Sequence, residues 1–284
     1  MLDEHRAHLA DRRRRDAHRR RRHHLHVCVE VLEHRRLMSA GELDPTFGLN
    51  GKVLAPFAPP EPPGQIVAVA MQADGKYVAA GELGPSPDFG LARYNADGSL
   101  DTTFGVSGFV DSRLIFPAGS GRFSAEQFPS DIAIQPDGKI LEAGAIVIVD
   151  QVGGVVVNVT QDVGLARFDA TGQLDASFGV GGYAIAQFLN DAFNPVIALQ
   201  PDGKIVVVGV TTAHNVGSNF ELALARFNAD GSLDPSFGTN GITITAAPSG
   251  FSYDQPPAVA LQPDGKIVIA AGTSPADDSA ANSL

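Results

Sequence analysis

One five-residue phrase, Gln-Pro-Asp-Gly-Lys with Ala once in place of Pro, returns four times and limits the fold more than any other feature of this 284-residue chain. It occupies 72–76, 135–139, 200–204 and 262–266, so that Gly75, Gly138, Gly203 and Gly265 lie 63, 65 and 62 residues apart. A second phrase recurs out of step with it. Leu91–Gly105, Leu165–Gly179 and Leu224–Gly238 carry this phrase whole, and 43–48 carries its tail. Self-similarity at a fixed period marks a tandem array in which each unit buries its apolar face against a neighbour.

Each unit reads as four short strands. In the first, these are Lys52–Phe57, Ile66–Met71, Lys76–Ala80 and Phe89–Tyr94. Val, Ile, Phe and Tyr gathered in short runs between Gly, Pro, Asn and Asp are the strand signature, and helical spacing is absent from the body. In Gln-Pro-Asp-Gly-Lys, Pro presets φ for the first central position of a type I turn. Asp bonds to its own backbone, and Gly takes the left-handed position that follows. Such a turn joins antiparallel strands in a tight hairpin. Four antiparallel strands in about 60 residues suit a propeller blade; a solenoid coil needs only about 20–30, and a β-sandwich gives no reason for identical hairpins. The spacing predicts complete blades near 49–98, 106–172 and 180–231. A partial fourth has strands at Ile242–Ala246, Ala258–Leu261 and Lys266–Ala270, so the expected fold is all-β, an incomplete ring.

The phrases NADGSLDPSFGTNG and LQPDGKIVVVG resemble the delta-60 repeat family of bacterial repeat proteins, over residues 43–272. That resemblance implies a β-propeller-like fold and occurrence in large surface or secreted proteins. It carries over no catalytic residue.

Charge separates an arm from a body. Residues 1–40 hold 11 Arg against 6 Asp and Glu, a net of +5, and the rest holds 10 Lys and Arg against 26 acids, a net of −16. The Arg and His blocks of the arm repel one another and bury nothing, so 1–40 is expected to be disordered, as is a small polar tail at 273–284. Val29–Ala40 resembles the LEPR-x-LL-type motif of bacterial surface proteins through Glu33, Arg35 and Leu37, with His34 in place of its proline, which implies export or surface association. Alternatively, Met38 is the true start. An acidic body disfavours nucleic acid, no aromatic residue interleaves with the Arg clusters, and no run reaches the roughly 18 apolar residues of a membrane span. The single cysteine, Cys28, permits no disulfide within the chain.

Chemistry-bearing motifs are absent from the body: no nucleophile elbow, phosphate loop or His/Cys cluster appears. Candidate calcium ligands are Asn95, Asp97 and Asp101, and Asn228, Asp230 and Asp234, oxygens at alternate positions. Turn chemistry explains the same Asn-x-Asp-Gly pattern without metal. Lys76, Lys139, Lys204 and Lys266, and Arg93, Arg167 and Arg226, recur once per unit. A catalytic group is needed once and a packing group everywhere, so these are expected to pair with nearby acids. His214 lies in a variable loop. The loops that vary between units all fall at one end of an up-and-down blade, the Asp-Gly turns at the other. Phe116, Phe123, Phe128, Phe193, Phe251 and Tyr253 are expected to be exposed at the variable end. The expected function is therefore a non-catalytic, secreted or cell-surface module that binds an unknown protein or glycan through that end and needs no cofactor. The alternative is a carbohydrate-active or other hydrolytic propeller using the same face.

Overall fold

The computed structural model describes residues 42–53, 65–82, 88–116, 120–188, 192–212, 220–248, 251–253 and 257–275. The basic arm and His214 lie outside them. All sixteen described elements are β-strands. β1 (Ile66–Met71), β2 (Tyr77–Glu82), β3 (Phe89–Tyr94) and β4 (Phe109–Asp111) form one antiparallel sheet in sequence order. β5 (Arg122–Ile134), β6 (Ile140–Val152), β7 (Val155–Phe168) and β8 (Tyr183–Ala186) form a second. β9 (Ala192–Leu199), β10 (Ile205–Thr212), β11 (Phe220–Phe227) and β12 (Ile242–Thr245) form a third. The remainder is two pairs: β13 (Phe251–Tyr253) with β16 (Thr273–Pro275), and β14 (Ala258–Leu261) with β15 (Ile267–Ala270). The repeats are thus propeller-like blades in an array that does not close.

The blades are cut one strand later than the spacing predicts. Lys52 makes only a bridge to Gly48, and 54–57 lie outside the described residues. Val110 pairs with Leu91, Ala184 with Leu165 and Thr243 with Leu224, so the strand after each Phe-Gly phrase closes its own blade instead of opening the next. Ile242–Thr245 accordingly belongs to the third blade, and the fourth retains β14 and β15 as its first two strands. Strand pairing also runs to Pro275, three residues past the boundary expected at 272.

The core lies between blades. Val78, Ala80 and Leu91 of the first pack on Ile132, Ile140 and Ala166 of the second. Leu141, Ala143 and Leu165 meet Ile197, Val207 and Ala225 of the third. Val206, Val208 and Leu224 meet Val259, Ile267 and Ile269 of the fourth. β1, β5, β9 and β14 approach one another in succession and form the inner edge. Second and third strands have neighbours on both faces, which is why they are apolar at nearly every position.

Candidate functional site

The turn end of each blade is a structural device. Arg93 Nε donates to Asp101 Oδ2 at 2.8 Å, Lys76 Nζ meets the same oxygen at 2.7 Å, and the guanidinium lies 4.6 Å from the centre of the Phe104 ring. Arg93 also donates across the junction to the Ala170 carbonyl of the second blade. Arg167 repeats this with Asp175, Lys139, Phe178 and the Ala229 carbonyl of the third blade, the last at 2.6 Å. Arg226 repeats the internal part with Asp234, Lys204 and Phe237. Backbone bonds run beside the side chains: Gly48 N–H donates to Asp97 O, Gly105 N–H to Thr171 O and Gly179 N–H to Asp230 O. Gly179 sits at φ 52°, and a Cβ there would lie 2.0 Å from the Tyr183 carbonyl oxygen, so only glycine allows the turn to close.

These bonds also place the candidate calcium ligands. Asp97 Oδ1 accepts from Ser99 N–H and Oγ, Asn95 donates to Ser99, and Asp230 and Asn228 do the same with Ser232. Asp101 and Asp234 each face a lysine and an arginine. Burial works against ionisation of Asp101, yet the bonds from Lys76 and Thr103 and the charge of Arg93 outweigh it and hold its carboxyl well below the usual range. For Asp234 the leading cause is the Lys204 bond, followed by Ser236. No group of three or more His, Cys, Asp or Glu side chains suited to a metal occurs among the described residues.

The opposite, variable-loop end carries unrepeated chemistry, concentrated on the second blade. The link from β4 to β5 lies along that blade. Ser112 Oγ donates to Glu142 Oε2 at 2.7 Å, Tyr183 OH to the Arg113 carbonyl at 2.9 Å, and Leu114 N–H to Gln127 Oε1 at 2.9 Å. Arg113 pairs with Asp88 at 2.6 Å. Arg122 reaches Asp150 at 2.7 Å with its guanidinium 5.1 Å from the Phe116 ring centre. A groove of about 670 Å³ runs along β8 between the two ends, from Leu114, Phe116 and Arg122 at one to Gly179, Val180 and Asp230 of the turn phrases at the other.

Sequence reasoning passed over the acids buried here. Glu142 has no exposed surface, and its Oε1 has no hydrogen-bond partner. Burial pushes its carboxyl up to about 8 against opposing bonds from Ser112 and Gly90. Superposing the four Asp-Gly turns puts Glu142 where the others have Ala79, Val207 and Ile269, so a lone charge in an apolar column was the available signal. Asp162 is also buried and raised by desolvation, despite bonds from Thr160 and Gln187. Desolvation likewise raises Asp131, whose Oδ2 accepts Ile197 N–H across the junction to the third blade.

Beyond this link, β6 and β7 continue as a ribbon turning at Gly153-Gly154. Val152, Val155, Val156, Val157 and Val159 are exposed on it. Its base is different, because Ile146 and Ile148 pack with Phe89 and Leu114. Of the six aromatics expected at this end, Phe123 is exposed, while Phe116, Phe128 and Phe193 are half-buried, the last edge-on to Phe220. The side chains of Phe251 and Tyr253 lie outside the described residues.

Residues 72–104, 135–178 and 200–237 match the profile of a family described as Domain of unknown function (DUF5122) beta-propeller. The chain is a β-propeller-like repeat protein on both counts, sequence and fold. A 108-residue stretch is 32% identical to ribosomal RNA small subunit methyltransferase H of Rhizobium meliloti strain 1021, covering 37% of this chain and 31% of that protein. The chain therefore spans about a third of the length of that relative. Among solved structures, a protein of unknown function from Dyadobacter fermentans DSM 18053 is similar at 15% identity and a TM-score of 0.42, over 74% of this chain and 62% of that one. A polysaccharide lyase, the PL25 ulvan lyase, is similar at 10% identity and a TM-score of 0.39, over 62% and 44%. No described helix is long and apolar enough to cross a membrane.

Proposed function

We propose that this chain is a non-catalytic binding module of a secreted or cell-surface protein, and that it takes its partner, a protein or a glycan, at the variable-loop end. The observation that carries the reading is the ribbon of the second blade, which sets five exposed valines beyond the sheet that supports it. Exposed apolar surface of this kind has a free-energy reason only if something covers it. The turn end supports the reading by contrast, since in the first three blades its repeated Lys and Arg side chains are spent on its own aspartates. The groove along β8, which reaches from the variable-loop end to the turn phrases, bears on catalysis. Glycoside hydrolysis needs a pair of carboxyl groups flanking the bond, and Asp230 is the one carboxylate among the described lining residues.

The test is retention of the full chain on a panel of immobilised polysaccharides and surface-protein peptides, with release of new sugar ends followed in parallel. The reading expects retention by at least one member, lost when Gln151–Val157 is replaced by Asn-Gly, with no turnover. Turnover of any polysaccharide, or retention indifferent to the ribbon, contradicts it.

A further inference from the structure

Every junction in this array packs the same two faces together. One face is led by Val78, Leu141 and Val206, each with no exposed surface. The other is led by Ile132, Ile197 and Val259, the residues opposite Glu142, Val207 and Ile269. Among the described residues one copy of each face is left partly uncovered; on the first blade Val53 and Tyr77 pack against Ala79 and Ala92, and the inner strand beside them stays open. On the first blade Val69, which lies opposite Ala79 and so corresponds to Ile132, is 60% exposed where Ile132 is 7% exposed. Met71 and Val67 are exposed beside it. On the fourth, Val268 corresponds to Val78, Leu141 and Val206 and is 45% exposed. Ala258, Ala260 and Ala270 are exposed around it. None of these residues is charged, although the body is strongly acidic.

We propose that these two faces pack on each other between two copies of the chain, the first blade of one against the β14–β15 pair of the other, twice over about a two-fold axis. Self-complementarity is the argument for a second copy as the occupant. Three junctions within the chain already join a face of one kind to a face of the other, so the geometry is one this sequence forms. The open faces lie on different blades, so each contact is heterologous, and two of them close when the rotation allows. Burial of Val67, Val69, Met71 and Val268 supplies the drive, and the apolar faces are where two acidic bodies approach with least repulsion.

Sedimentation of the full chain across a wide concentration range tests this. The expected result is a reversible species of twice the 29.7 kDa chain mass. Val69→Lys and Val268→Glu each strand a charge in one face and should weaken association by about tenfold or more. Both positions are solvent-exposed in the single chain, so unchanged circular dichroism is expected. Mixing the two variants should restore a mixed dimer, because one junction is then unaltered and the other sets an introduced ammonium beside an introduced carboxylate. Val155→Lys, on the ribbon, should leave the dimer unchanged. A monomer at every concentration overturns the proposal. So does an open-ended series of larger species, a dimer indifferent to both face substitutions, or one that Val155→Lys dissolves.

Discussion

Arg167 and Arg226 occupy the same position in successive blades and differ in one bond. Arg167 donates to the Ala229 carbonyl of the next blade; for Arg226 no bond of that kind is seen among the described residues. Arg226 is also the more exposed side chain. Removing Arg167 leaves Asp175 short of a partner and opens the junction, so Arg167→Ala should cost about 3 kcal/mol in denaturant unfolding. Arg226→Ala should cost about half of that or less. Equal costs would show that the cross-blade bond contributes nothing. Because Lys and Arg already satisfy Asp101 and Asp234, addition of calcium or of a chelator should leave the melting temperature unchanged; a calcium-dependent rise would restore these loops as metal sites.

Glu142 makes stability depend on pH in the opposite sense to these aspartates. The folded state holds its proton more tightly than the unfolded chain does, so unfolding releases a proton. The contribution of Glu142 is then fully present below pH about 4.5 and is lost as pH rises toward 8. Asp101, Asp175 and Asp234 have lowered values, so theirs is present above pH about 4 and lost as pH falls further. Stability should therefore peak in mildly acid solution. Glu142→Gln keeps the shape, removes the buried charge and should stabilise the protein by about 3 kcal/mol at pH 7, with little gain at pH 4.5. A flat pH profile that Glu142→Gln does not change would mean that the carboxyl is hydrated.

At the level of the element, the ribbon and its base should behave differently. Replacing Gln151–Val157 by Asn-Gly, between paired Asp150 and Asn158, removes four exposed valines, the glycine tip and the Gln151 N–H bond to the Gly121 carbonyl, and should move the melting temperature by no more than about 3 °C. Ile148→Ala, at the buried base, should cost about 3 kcal/mol. The sequence showed this hairpin and its glycine tip, since apolar runs flank Gly153-Gly154. It could not show that Ile146 and Ile148 are covered, because their cover is the β4–β5 link, a segment without repeat character. The same limit explains the shifted blade boundaries. A repeat read from sequence is a circle with no marked start, and only the hydrogen bonds of Leu91 with Val110 fix where one blade ends. Turns and strand types were legible because Asp-Gly and β-branched residues act locally. Glu142 and Asp162 were not, because what distinguishes them is burial.

At the scale of the whole molecule, one end is repeated and fastened for structure, and the other, variable end is the one proposed to bind. The long β6 and β7 strands pass through both regions, so their amides report on both within one fold. Hydrogen exchange of the full chain, resolved to single amides, tests this division most directly. The account predicts that amides within the paired turns, Gly105, Asp101, Gly179 and Asp175, exchange only on global unfolding, together with those of Val78, Leu141 and Val206. Amides of 151–157 should exchange many orders of magnitude faster, through local opening. Ribbon amides as slow as those of the turns, or turn amides as fast as those of the ribbon, would contradict it.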